Sequence, residues 1–72
     1  MEFILVSYPR RRRVFVDGEQ CGFTNEVIQI DGGTHRIDLG EPANYTPQFR
    51  RPDISGTAVF DPLLLEFDLV MA

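Results

Sequence analysis

Apolar and polar residues alternate along most of this chain with a period of two, the spacing of strands that bury one face. Val14 and Val16 share one face of Arg13–Asp17, while Arg13, Phe15 and Asp17 share the other. Ile28 and Ile30 share a face of Glu26–Ile30. In Thr34–Leu39, His35, Ile37 and Leu39 point one way and Thr34, Arg36 and Asp38 the other. Near the end, Leu63, Leu65, Phe67 and Leu69 face in, and Glu66 and Asp68 face out. The stretch Glu2–Tyr8 (EFILVSY) differs, being apolar on both faces. It suits a strand covered on both sides or a first strand at a sheet centre. No segment carries apolar residues at helical spacing between capping signals, so no helix is expected.

Turn chemistry divides these strands. Pro9 ends the first. Asp17-Gly18 marks a hairpin, because glycine takes positive φ at no steric cost, and a return strand near Gln20–Phe23 follows. Asp31-Gly32-Gly33 joins Glu26–Ile30 to Thr34–Leu39, the clearest hairpin in the pattern. Gly40–Pro62 holds four of the five prolines. It is expected to be loops with short strands near Thr46–Arg50 and Gly56–Phe60, the prolines at edge positions. About six or seven short strands at roughly 8–12-residue spacing predict an all-β fold, a small antiparallel β-sandwich or small barrel.

The 72 residues form one domain, 1–72. A chain of this length has a small core and little room for a deep pocket, and Rossmann folds and α/β barrels are excluded. An apolar fraction of 43% with 25% charged residues is that of a globular protein rather than a disordered one. No run approaches the roughly 18 apolar residues of a membrane span. The start has Glu2 and a short apolar run instead of a basic n-region, so as written the chain is expected to be cytoplasmic. The single cysteine excludes an internal disulfide framework.

From about Arg12 to Tyr45 the spacing resembles the PEGA domain, a small β-sandwich module of bacteria and archaea. The family pattern is an apolar strand, then Asp-Gly, then Gly-x-Thr-Pro. A second apolar strand, Gly-x-His-x-apolar-x-apolar and a Gly-Tyr follow. Here Val14, Val16, Asp17 and Gly18 are followed by Gly22, Phe23 and Thr24. Ile28 and Ile30, then Gly33, His35, Ile37 and Leu39, then Tyr45 complete the match. Asn25 stands where the pattern has proline, and Asn44 precedes Tyr45 where it has glycine. The resemblance implies a binding module rather than an enzyme, without catalytic residues to carry over. Its usual setting, one module in a longer envelope or surface protein, makes envelope association the alternative to the cytoplasm.

All seven basic residues are arginines, and six lie in two clusters, Arg10–Arg13 and Arg50–Arg51. Arg10–Arg13 alternate across a strand entry, so some point outward beside Phe15 and Arg36. Arg11, Arg13, Phe15 and Arg36 are therefore the candidate binding residues. Guanidinium groups beside an aromatic ring can seat an acidic protein segment or hold phosphates and stacked bases. They can also simply protect a sheet edge from association. A net charge of −4 argues against nucleic acid as the main partner. The expected function is a non-enzymatic interaction or structural module, binding a protein partner or its own copy through that face or by strand addition at an edge. A nucleic-acid binder using both arginine clusters is the alternative. Cofactors and metals are not expected, because one histidine and one cysteine fall short of a zinc set and the aspartates lack calcium-loop spacing. His35 reads as a half-buried hairpin histidine bonded to a turn carbonyl, and Cys21 as a small, partly buried residue.

Overall fold

The computed structural model describes residues 1–70. Their regular structure is ten short strands: β1 Glu2–Ser7, β2 Arg13–Val16, β3 Glu19–Phe23, β4 Val27–Ile30, β5 Gly33–Thr34, β6 Ile37–Asp38, β7 Tyr45–Thr46, β8 Asp53–Ile54, β9 Leu63–Glu66 and β10 Asp68–Leu69. The protein is all-β, as its alternation predicts. Ten strands stand where six or seven were expected, because the segments between Ile30 and Leu63 pair in two-residue pieces. Two three-stranded sheets, β4-β1-β9 and β3-β2-β6, carry the core, and β5-β8 and β10-β7 are small flanking pairs. Pairing is antiparallel except between β1 and β9, which run parallel.

β1 takes the sheet-centre position that its two apolar faces allow. Its inward residues Ile4 and Val6 are fully buried, and its outward Phe3 and Leu5 are half-buried. The register puts Val27 and Leu64 on either side of Leu5, both exposed. The second sheet contributes Val14, Val16 and Ile37 to the same core cluster. The last strands bury Leu65 and Phe67 while Glu66 and Asp68 stay exposed, as expected from alternation.

The Asp17-Gly18 turn joins β2 to β3 with both residues at positive φ, 52° and 86°. Those angles fit the twist of a two-residue hairpin. In β3 the partner of Val14 is Gly22 and that of Phe15 is Gln20, so Cys21 is an extra, bulged residue. The bulge explains why Cys21 is exposed rather than partly buried as its sequence setting suggested. It also restores the phase that puts Phe23 opposite Arg13 on the outer face.

Two expectations are corrected. Glu26–Ile30 and Thr34–Leu39 do not form a hairpin: β4 pairs with β1, β5 with β8, and β6 with β2. Gly33, at φ 109°, carries the chain out of one sheet, and β1 offers β4 a longer apolar partner than the broken strand beyond the turn. The short strand forecast over Gly56–Phe60 is instead β8 at Asp53–Ile54. Residues 58–61 close a tight turn through Ala58–Asp61 hydrogen bonds of 3.1 and 3.0 Å.

At Gly22 the second sheet comes close to Ile28 of the first. A Cβ there would lie 2.9 Å from Ile28 Cγ1, a buried side chain with little room to move. Gly22→Ala is expected to cost about 1–3 kcal/mol by overpacking. Urea denaturation should show the midpoint falling with an unchanged slope; an unaltered midpoint would contradict the close approach.

Candidate functional site

The chain between β1 and β2 carries the arginine run, and the Thr24–Asn25 turn shapes it. Thr24, 1% exposed, donates its hydroxyl to the Arg10 carbonyl (2.6 Å) and accepts from the Arg12 amide (2.8 Å). The Thr24 amide donates to the Arg12 carbonyl at 2.8 Å. Asn25 donates its amide to Val6 O (2.7 Å) and its side-chain nitrogen to Tyr8 O (2.8 Å), while its Oδ1 accepts from the Tyr8 amide (3.2 Å). Asn25 sits at φ 64°, in the left-handed region. A proline there would have neither that angle nor the donated N–H.

Held this way, Arg11, Arg12 and Arg13 take different directions. Arg12 turns inward: its Nη2 donates to the carbonyls of Leu39, Gly40 and Pro42, and its Nη1 to Asn44 Oδ1. Its guanidinium lies 5.0 Å from the Tyr45 ring centre and 5.8 Å from that of Tyr8. Arg12 thus ties the loop after β6 to the aromatic end of the core, where Tyr8, Tyr45 and Phe67 meet edge to face. Arg11 turns outward over the Phe23 ring at 3.8 Å and pairs with Glu26 at 3.4 Å. The Arg13 side chain is exposed and has no hydrogen-bond or ion-pair partner among the described residues.

Arg11, Arg12, Arg13, Phe15, Phe23 and Leu39 line a groove of about 450 Å³ together with Glu41 and Pro42. Phe15 is fixed by Gly40: a Cβ on Gly40 would stand 2.6 Å from the ring, and its φ of 70° also favours glycine. The groove therefore combines an apolar floor, a stacked Arg–Phe pair and one uncommitted guanidinium. Of the sequence candidates, Arg11, Arg13 and Phe15 come together here. Arg36 lies elsewhere, 4.5 Å over the Phe49 ring and 3.6 Å from Asp38. Arg50 donates to the Glu66 carbonyl at 2.8 Å, so the second cluster does not offer two free cations. Sequence reasoning did not single out Arg12 or Phe23. Phe23 was concealed by the bulge, whereas the buried Thr24, 12 residues on from Arg12, carried no visible link to the arginines.

A second hollow of about 380 Å³ is lined in part by Asp17, Cys21, Asp31 and His35. His35 is half-buried. Its Nδ1 meets Asp17 Oδ2 at 2.6 Å and its Nε2 meets the Asp31 carbonyl at 2.9 Å, so the turn-carbonyl bond expected of it is present. Both neighbours are acceptors, so both ring nitrogens donate, which describes an imidazolium. The bond to Asp17 raises the His35 pKa above its ordinary value. Asp17 is lowered by that same bond and by the Arg36 amide. With Nδ1 held by Asp17 and Nε2 by Asp31, neither ring nitrogen is free to take a proton from Cys21. No group of three or more potential metal-ligating residues occurs among the described residues. No helix among them is long and apolar enough to cross a membrane.

Comparison with family models, curated proteins and solved structures gave no match to this chain.

The His35–Asp17 pair sets a pH window. A raised histidine pKa stabilises the fold below the ordinary value of 6.5, and the effect fades as pH climbs through the raised value. A lowered aspartate pKa stabilises above the ordinary value of 3.8, fading as pH falls through the lowered one. The difference in melting temperature between wild type and His35→Gln is therefore expected to be widest between those two ordinary values. Melts across that range and beyond both limits check this, and a pH-independent difference would contradict it.

Proposed function

We propose that the chain is a non-enzymatic protein-interaction module whose arginine groove seats an acidic segment carrying an aromatic side chain. The observation that carries this reading is Arg13, exposed and without an acceptor, beside Phe15 and the Arg11-stacked Phe23. A free guanidinium takes a carboxylate bidentately, and arginine with aromatic residues forms the usual anchors of protein interfaces. The net charge of −4 disfavours an extended phosphate backbone, while a single acidic segment needs only the local patch. The PEGA-like spacing supports the same reading, since that family's modules act by binding. The hydrogen bonds of Asn25 give a physical reason why this chain departs from the family's proline.

A fluorescent peptide of alternating Asp and Phe, compared with oligothymidylate by anisotropy, tests the proposal. The peptide should bind wild type and lose about tenfold or more of its affinity with Arg13→Ser, the size of an interface anchor. No peptide binding, or equal binding by Arg13→Ser, would overturn the reading. Tighter oligothymidylate binding that falls steeply with salt would replace it with nucleic-acid recognition.

A further inference from the structure

The far end of β1 carries the chemistry that the groove lacks. Val59 and Phe60 occupy the apex of the turn closed by Ala58 and Asp61. Phe60 is 89% exposed, Val59 58%, and Asp61 follows with its carboxylate in solvent. A single exposed apolar residue is ordinary. This one stands at the apex of a tight turn with a second apolar side chain before it and an acid after it.

Tip and groove cannot meet within one chain. Thr57 accepts from the Phe3 amide (2.7 Å) and bonds the Glu2 carboxylate, and Leu63 pairs beside Ile4, so the tip is anchored at the start of β1. The arginine run leaves from the other end, past Tyr8. Six steps of extended chain from Glu2 to Tyr8 separate the two by about 20 Å.

Tip and groove are also complementary in charge. Asp61 is the one charged residue between Ile54 and Leu65, whereas the groove is lined by Arg11, Arg12 and Arg13 against the single acid Glu41. An acid beside an exposed aromatic on one surface suits an arginine beside aromatics on another.

We infer that the groove's occupant is the tip of a second copy of this chain, a statement that rests on the groove reading above. Phe60 of one copy enters against Phe15 and Phe23, and Asp61 meets Arg13. The contact joins two different surfaces, so each copy keeps one free tip and one free groove. Association then continues beyond a dimer unless a ring closes. A four-residue turn buries less surface than a standard interface, so the contact is weak and appears only at high protein concentration.

Sedimentation velocity over a concentration series tests this with the full chain. Wild type is expected to grow past dimer. Phe60→Ser and Arg13→Glu, both at exposed positions and checked for folding by circular dichroism, should each stay monomeric, their association weakened about tenfold or more. Mixing the two variants should restore a one-to-one dimer and nothing larger, because one supplies an intact tip and the other an intact groove. Leu64→Ser, on the exposed face of β9, should behave as wild type. A wild type that remains monomeric, or a mixture that does, would overturn the inference. So would association lost with Leu64→Ser and kept with Phe60→Ser. If the Asp–Phe peptide still binds in those cases, only the second copy is wrong as occupant; if it does not, the groove reading falls too.

Discussion

The clamp that Thr24 and Asn25 place on the segment Tyr8–Arg12 is the constraint on which the rest of this site depends. Five hydrogen bonds, from two adjacent residues, hold a stretch that contains Pro9 and three consecutive cations and has no strand partner of its own. Like charges in sequence repel and would keep such a segment extended and solvated. A buried threonine hydroxyl and a left-handed asparagine replace that solvation with fixed donors and acceptors. Both side chains are satisfied in doing so, as no buried side-chain polar atom among the described residues lacks a partner.

Fixing the backbone assigns Arg11, Arg12 and Arg13 different roles. Arg12 fills the carbonyl ring left by the loop after β6, a loop that forms few backbone ladders of its own. A guanidinium is suited to this because its planar fork reaches several acceptors at once and stays charged while half-buried. Its stacking on Tyr45 couples the loop to the aromatic cluster. With Arg12 committed to structure, Arg11 and Arg13 remain for the surface. Arg11 is steadied by Phe23 and Glu26, and Arg13 alone faces the groove without an acceptor. The consequence is one available cation in a defined place within the groove, with Arg10 exposed outside its lining.

Much of this architecture was legible in the residues. The period-two alternation gave the inward faces of β2, β4 and β9, and Asp17-Gly18 gave the hairpin, because each depends on near neighbours in the chain. What could not be read depended on distant partners. Asp31-Gly32-Gly33 has the composition of a hairpin turn, yet β1 competes for β4 and the chain crosses between sheets instead. Val59 and Phe60 read as strand residues, yet the Ala58–Asp61 turn puts them at an apex. At the site, Arg13 and Phe15 were visible from alternation, whereas Phe23 required knowing that Cys21 is bulged. Arg36 has the right strand phase but is drawn off by Phe49 and Asp38.

The division of labour among the arginines is the central claim, and side-chain hydrogen exchange measured on the arginine guanidinium groups by NMR tests it most directly. Arg12 is expected to show slow exchange and a distinct, ring-shifted signal from its place beside Tyr45, while Arg13 exchanges at the rate of a free side chain. Equal, fast exchange at both positions, or protection at Arg13 in place of Arg12, would contradict the account.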